Sequence, residues 1–188
     1  MRERDADADL MLRYAAGDER AFERLYERHR RGLWRYVLRL LRNPAVADDV
    51  FQECWSRVIA SRTRYRPEAR FATWLWRIAH NCCMDYFRSD RRRTGRETSD
   101  EDALTVASDD PAAGPEEMAA GEQAGERLTQ ALGELPEAQR AVFLLYVEGG
   151  LSVSEIGELT GVGAETAKSR LRYAVARLQE ALGAAAPE

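Results

Sequence analysis

Leu151-Ser152-Val153-Ser154-Glu155-Ile156-Gly157-Glu158-Leu159-Thr160-Gly161-Val162-Gly163-Ala164-Glu165-Thr166-Ala167-Lys168-Ser169-Arg170-Leu171 holds a short periodic segment, a glycine break and the start of a longer one. Ser152 with Glu155 three residues on matches a capping box, in which the two side chains satisfy each other's backbone N–H groups at a helix start. The pattern predicts helices over Val153–Thr160 and Ala164–Leu182 joined through Gly161-Val162-Gly163, which is a helix-turn-helix. At about 100° per residue, Ala167, Leu171, Ala174 and Leu178 form one stripe of the second helix, while Glu165, Lys168, Ser169 and Arg172 share another face. The N-terminal part of such a helix enters the major groove, where Lys and Arg donate to guanine and Ser bonds bases or phosphate. Any amphipathic helix has a polar outer face. The capping box, the glycine turn and the cations together favour DNA reading.

Working outward, the rest of the chain has helical periodicity, and no segment shows the period-2 alternation of a strand. Helices are predicted over Asp7–Ala16, from an Asp18 N-cap to Arg42, from Asn43-Pro44 to Ser61, and over Ala69–Ser89. After residue 121 they fall at Gly121–Gly133 and Glu137–Glu148. Between the two groups, residues 97–121 are rich in Asp, Glu, Ser, Ala, Pro and Gly, with too little apolar surface to offset the entropy of ordering. The expected architecture is all-α: two small helical domains, 1–96 and 122–188, joined by a flexible acidic linker, 97–121, with a helix-turn-helix in the second.

Charge is segregated along this plan. From Glu97 to Glu126 there are ten acidic residues and no Lys or Arg, so within a net charge of −4 the remaining chain holds +6. Arg62 to Arg96 contains ten arginines against Glu68, Asp85 and Asp90. Such a block is either a solvated face or a surface for phosphates or acidic partners. The 188 residues contain no apolar run near the roughly 18 of a membrane span, and Met1-Arg2-Glu3-Arg4-Asp5 lacks a signal peptide's apolar core, so a cytoplasmic protein is expected. Cys54, Cys82 and Cys83 suit helix packing, and with His29 and His80 make no zinc signature. No metal or cofactor is expected, and the chain lacks a Walker-type Gly-Lys-Ser/Thr motif, which argues against an enzyme.

Two further helix faces carry chemistry. On the fourth predicted helix, Trp74, Arg77, Asn81, Asp85 and Arg88 share one edge beside an apolar stripe of Phe71, Leu75, Ile78, Ala79, Cys82 and Tyr86. Aromatic, cationic and amide groups together suit single-stranded nucleic acid, whose bases stack on rings while Arg holds phosphate. On the third, Asp49, Gln52, Glu53 and Ser56 share a polar face without a neighbouring His or Cys/Asp cluster, so it fits docking of an arginine-bearing partner better than proton transfer.

Ala47-Asp48-Asp49-Val50-Phe51-Gln52-Glu53, Phe71-Ala72-Thr73-Trp74-Leu75-Trp76-Arg77-Ile78-Ala79-His80-Asn81 with Asp85-Tyr86, and Thr166-Ala167-Lys168-Ser169-Arg170-Leu171 resemble, in that order, three helices of extracytoplasmic-function sigma factors of the sigma-70 family. The resemblance implies a subunit that directs bacterial RNA polymerase to promoters, with core polymerase (clamp helices and flap), promoter DNA and an anti-sigma protein as partners. It implies polymerase binding by Asp49, Gln52 and Glu53. It implies minus-ten strand capture by the Thr63–Arg70 loop with Tyr65 and Arg66, and by Phe71, Trp74, Arg77, Asn81 and Arg88. Minus-thirty-five reading would fall to Glu165, Lys168, Ser169, Arg170 and Arg172. Gly163 and Glu165 depart from the family's usual pattern around the recognition helix and bear on which promoter is read. The alternative is a free-standing helix-turn-helix regulator whose N-terminal domain dimerises or senses a ligand.

Overall fold

The computed structural model describes residues 5–94 and 125–183; the expected linker at 97–121 lies outside them. Among the described residues the secondary structure is helical: α1 Ala6–Ala15, α2 Glu19–Leu41, α3 Pro44–Ala60, a 3-10 turn at Arg62–Arg64, α4 Phe71–Thr94, α5 (125–133), α6 Glu137–Val147, α7 Val153–Thr160 and α8 Ala164–Gly183.

Local chemistry sets these bounds. The Asn43 side chain accepts from Val46 N at 3.2 Å, with Pro44 in the first turn of α3. Asp18 stands at the N-cap position of α2 but makes no side-chain cap bond. Its carboxylate is taken instead by Arg13, at 3.0 Å from Nε and 2.5 Å from Nη2, and that guanidinium holds the Asp18 carboxyl below its usual pKa. The expected fourth helix ended at Ser89; α4 continues to Thr94 without apolar periodicity. Its last turns are carried by Arg93 on Asp90 (2.8 Å), Thr94 Oγ1 on Asp90 O (2.8 Å) and cations at the negative end of the helix dipole.

α2 is the spine of the first unit. Leu25, Leu33, Tyr36, Val37 and Leu40 are inaccessible to solvent and pack among Met11 of α1, Ala47, Cys54 and Val58 of α3, and Phe71, Leu75 and Ala79 of α4. Each fully buried side chain of this size contributes about 1.5–3 kcal/mol of transfer free energy. Cys54, Cys82 and Cys83 are buried free thiols, in keeping with a packing role. The second unit packs α6 and α7 on α8 around Leu144, Leu145, Ile156, Ala167, Ala174 and Leu178. Gly157 lets the turn close: a Cβ there would meet Val162 O at 3.1 Å and Ala164 N at 3.2 Å.

The two units also pack on each other, α6 against α2 and α7 against α4. Glu148, just after α6, is clamped between Arg35 (2.9 Å) and Arg39 (2.7 Å) of α2, and its side chain is 4% exposed. Arg42, in the left-handed conformation that ends α2 (φ 59°), donates to Gly133 O at 3.2 Å. The Thr73 hydroxyl of α4 donates to Glu155 of α7 at 2.6 Å, and Arg91 lies 3.5 Å from Glu137.

Candidate nucleic-acid interface

α4 presents its polar edge as the helical spacing requires. Arg77, Asn81 and Arg88 are exposed and Trp74 is half-buried. Trp74 is held by an aromatic triangle: its ring centroid lies 4.9 Å from Tyr65 and 5.7 Å from Phe71, and those two are 6.1 Å apart. Tyr65 is 3% exposed and Phe71 is inaccessible. These two, expected to touch a strand, therefore form the floor beneath Trp74, because the start of α4 needs large apolar groups to close the core. Burial, with Asp5 and Asp7 nearby, pushes the Tyr65 hydroxyl up to about 12, so the group stays protonated.

Two partners set the start of α4. Asp5 accepts from Asp7 N at 3.1 Å through one oxygen and from Phe71 N at 2.6 Å through the other, so a single carboxylate caps α1 and the first turn of α4. Asp7 also binds His29 Nε2 at 2.8 Å, and the His29 ring lies 5.4 Å from Phe71. Sequence periodicity could not find Asp5, since the contact spans 66 positions. In the 62–70 loop, Arg66 folds back onto the carbonyls of Tyr65 (2.9 Å) and Thr63 (3.4 Å), bracing the loop while remaining exposed. Arg88 pairs with Asp85 at 3.0 Å, and Asp85 in turn takes Arg57 of α3 at 3.1 Å.

Deeper in α4, His80 is buried and its Nδ1 lies 3.0 Å from the Tyr36 hydroxyl. Burial pulls the imidazole down to about 4 and raises Tyr36 well above its usual value. A neutral ring accepting from a protonated phenol satisfies both groups.

On α3, Asp49, Gln52 and Glu53 are all exposed, and Glu53 pairs with Arg57 at 2.7 Å. This face lies beside the polar edge of α4, linked through Arg57 to Asp85. In the second unit, Ser152 and Glu155 form the expected capping box, and Gly161 ends α7 in the left-handed region (φ 71°). Glu165, Lys168 and Arg172 are exposed, and Ser169 and Arg170 are half-buried. Lys168 rests 3.9 Å from Glu165, an exposed pair worth little that a phosphate can displace, and Arg172 lies over the Tyr173 ring at 5.3 Å. The five expected residues thus lie on the N-terminal half of α8, clear of its core stripe of Ala167, Ala174 and Leu178.

Burial opposes ionisation of Glu155, but hydrogen bonds from Thr73 and Ser152, with the charge of Arg70, outweigh it and hold the carboxyl below its usual value. Sequence reading found Glu155 as a cap only. Its second role, with those of Arg35, Arg39 and Glu148, depends on helices far apart in the chain. Among the described residues no His/Cys/Asp/Glu group could hold a metal, and no helix is long and apolar enough to cross a membrane.

Comparison with known proteins adds an independent line. Residues 25–93 match Sigma-70 region 2 and residues 125–178 match Sigma-70 region 4. The chain is 37% identical over 174 residues to the RNA polymerase sigma factor CarQ of Myxococcus xanthus, covering 92% of this chain and 95% of that protein. It is 33% identical over 178 residues to the ECF RNA polymerase sigma factor SigM of Mycobacterium tuberculosis, covering 95% and 85%. In fold it is similar to CnrH solved in complex with the cytosolic domain of CnrY (TM-score 0.70, 24% identity, 97% of this chain and 100% of that one). A sigma factor RpoE of Bartonella quintana, solved with the anti-sigma factor NepR, is also similar (TM-score 0.71, 20% identity, 88% and 98%).

Proposed function

The chain belongs to the extracytoplasmic-function sigma factors of the sigma-70 family, and from that premise we propose how its surfaces divide the work of transcription initiation. It is a non-enzymatic factor that binds core RNA polymerase and directs promoter-specific initiation. The free-standing regulator is not favoured, since the N-terminal unit matches region 2 rather than a dimerisation or sensing domain.

Asp49, Gln52 and Glu53 on α3 dock on the polymerase clamp helices. On the adjacent α4, Trp74 stacks an unpaired base of the minus-ten element, Asn81 reads a base edge, and Arg77 and Arg88, with Arg66 of the loop, hold phosphate. Tyr65 and Phe71 set the height and tilt of Trp74 from below. On α8, Lys168, Ser169 and Arg172 read the minus-thirty-five duplex, Arg170 meets the backbone, and Glu165 disfavours bases whose acceptors face it. The second unit docks on the polymerase flap, and an anti-sigma protein is the expected inhibitor. The observation that carries this reading is the exposure of the α3 and α4 faces side by side within the region 2 match.

The test is the Asp49→Arg/Glu53→Arg variant with purified core polymerase. Both residues are exposed, so unfolding stability should change by no more than about 1 kcal/mol. Core binding and run-off transcription should be lost. Undiminished transcription would contradict the assignment.

A further inference from the structure

α1 carries none of the residues assigned to DNA or polymerase, yet two carboxylates at its start converge on one side chain of α4. We infer that Asp5 and Asp7 are positioning residues for strand capture: together they grip Phe71 from two sides and so fix the Trp74 ring above it. This rests on the reading of Trp74 as the group that stacks a minus-ten base.

The need arises in the sequence of α4. The first N–H groups of a helix have no partner within it, and a capping side chain must offer them an acceptor. Arg70, whose carbonyl takes the first bond of α4 from Trp74 N at 3.2 Å, has none to offer, because a guanidinium only donates. The first turn of α4 also contains no acidic residue to meet the positive end of its dipole. Asp5 supplies both from outside the helix, its Oδ2 accepting from Phe71 N at 2.6 Å.

The second grip is on the ring. Asp7 Oδ2 lies 2.8 Å from His29 Nε2 while Arg28 holds its other oxygen, so the imidazole is fixed 5.4 Å from the Phe71 ring at a 50° tilt. The His29 and Asp7 side chains are both largely withdrawn from solvent. The two carboxylates are themselves coupled, Asp5 Oδ1 accepting from Asp7 N at 3.1 Å. α1 therefore holds Phe71 by its backbone and by its ring at once. Phe71 is inaccessible and lies 5.7 Å from the half-buried Trp74. Stacking of a base favours a ring held in one orientation, since the freedom of that side chain is then lost on folding and not on binding. Because Asp5 gives both oxygens to backbone donors, the isosteric Asn cannot replace it: its amide nitrogen would face an N–H.

Two experiments on the full chain test it. With 5-fluorotryptophan at Trp34, Trp55, Trp74 and Trp76, Asp5→Asn should shift and broaden the fluorine resonance of Trp74, assigned through Trp74→Phe, and leave the others in place. An unmoved Trp74 resonance, or equal movement of all the tryptophans, overturns the inference.

Separately, polymerase loaded with Asp5→Asn should keep its upstream binding and lose permanganate reactivity in the minus-ten region by about tenfold, the lower range for one stacked base. Added to Trp74→Ala, the same substitution should cause no further loss, because it acts through that ring. An equal loss in both backgrounds makes Asp5 a general structural residue and overturns the positioning role. If Trp74→Ala itself leaves opening intact, the strand-capture reading falls instead, and the fluorine spectrum still decides whether α1 sets the ring.

Discussion

α4 and α8 are helices of similar length, each with a polar face that we assign to nucleic acid, yet they are built differently. α4 buries eight residues, among them Phe71, Leu75, Trp76, His80 and Cys83, on more than one side. α8 buries three, Ala167, Ala174 and Leu178, along one narrow stripe. The difference suits the targets proposed for them. A splayed single strand is caught by aromatic stacking, which needs a ring held rigidly, and Trp74 is held by Tyr65 and Phe71. A duplex groove must admit a whole helix, so the reading helix has to stand clear of its own core.

The sharpest way to break this comparison is to hollow the two helices. Leu75→Ala in α4 should cost about 2–5 kcal/mol in denaturant unfolding, since its site is fully enclosed. Leu171→Ala on the half-buried margin of α8 should cost less; equal losses would mean that α8 is as deeply seated as α4.

Acid should separate the helices next. The folded His80 has its pKa drawn down from 6.5 to about 4, so as pH falls the unfolded chain takes the proton first. Stability is therefore fully present above pH 6.5 and falls by on the order of 3 kcal/mol as pH drops toward 4. Urea unfolding across that window should show the loss, and His80→Gln should remove the slope. A slope unchanged in that variant would assign it to other groups.

A smaller effect probes the local device that places α8. Ser152→Ala removes half of the capping box and should cost about 1 kcal/mol, read from the thermal midpoint. No change would mean that tertiary packing alone sets the start of α7.

How much of this was legible beforehand also divides along the two helices. The helix-turn-helix is written in local signals, Ser152 with Glu155 and the Gly161 break, so its bounds and its outward face followed from spacing. The polar edge of α4 was legible too, because Trp74, Arg77, Asn81 and Arg88 recur at helical intervals. What was not legible depends on partners far away in the chain. Tyr65 and Phe71 read as strand contacts until the aromatic triangle put them beneath Trp74. Asp5 capping Phe71, and Glu148 between Arg35 and Arg39, leave no periodic trace. The polar end of α4 lacked an apolar signal because side-chain bonds and the helix dipole sustain it.

The most direct test of the central claim, one surface for strand capture and another for duplex reading, is a side-by-side footprint of polymerase loaded with Trp74→Ala or Arg172→Ala on a cognate promoter. Trp74→Ala should keep upstream binding and lose permanganate reactivity in the minus-ten region, by about 1–3 kcal/mol of stacking. Arg172→Ala should lose about 1–3 kcal/mol of upstream binding, while the complexes that form still open. Equal losses of binding and opening in both variants would contradict the division.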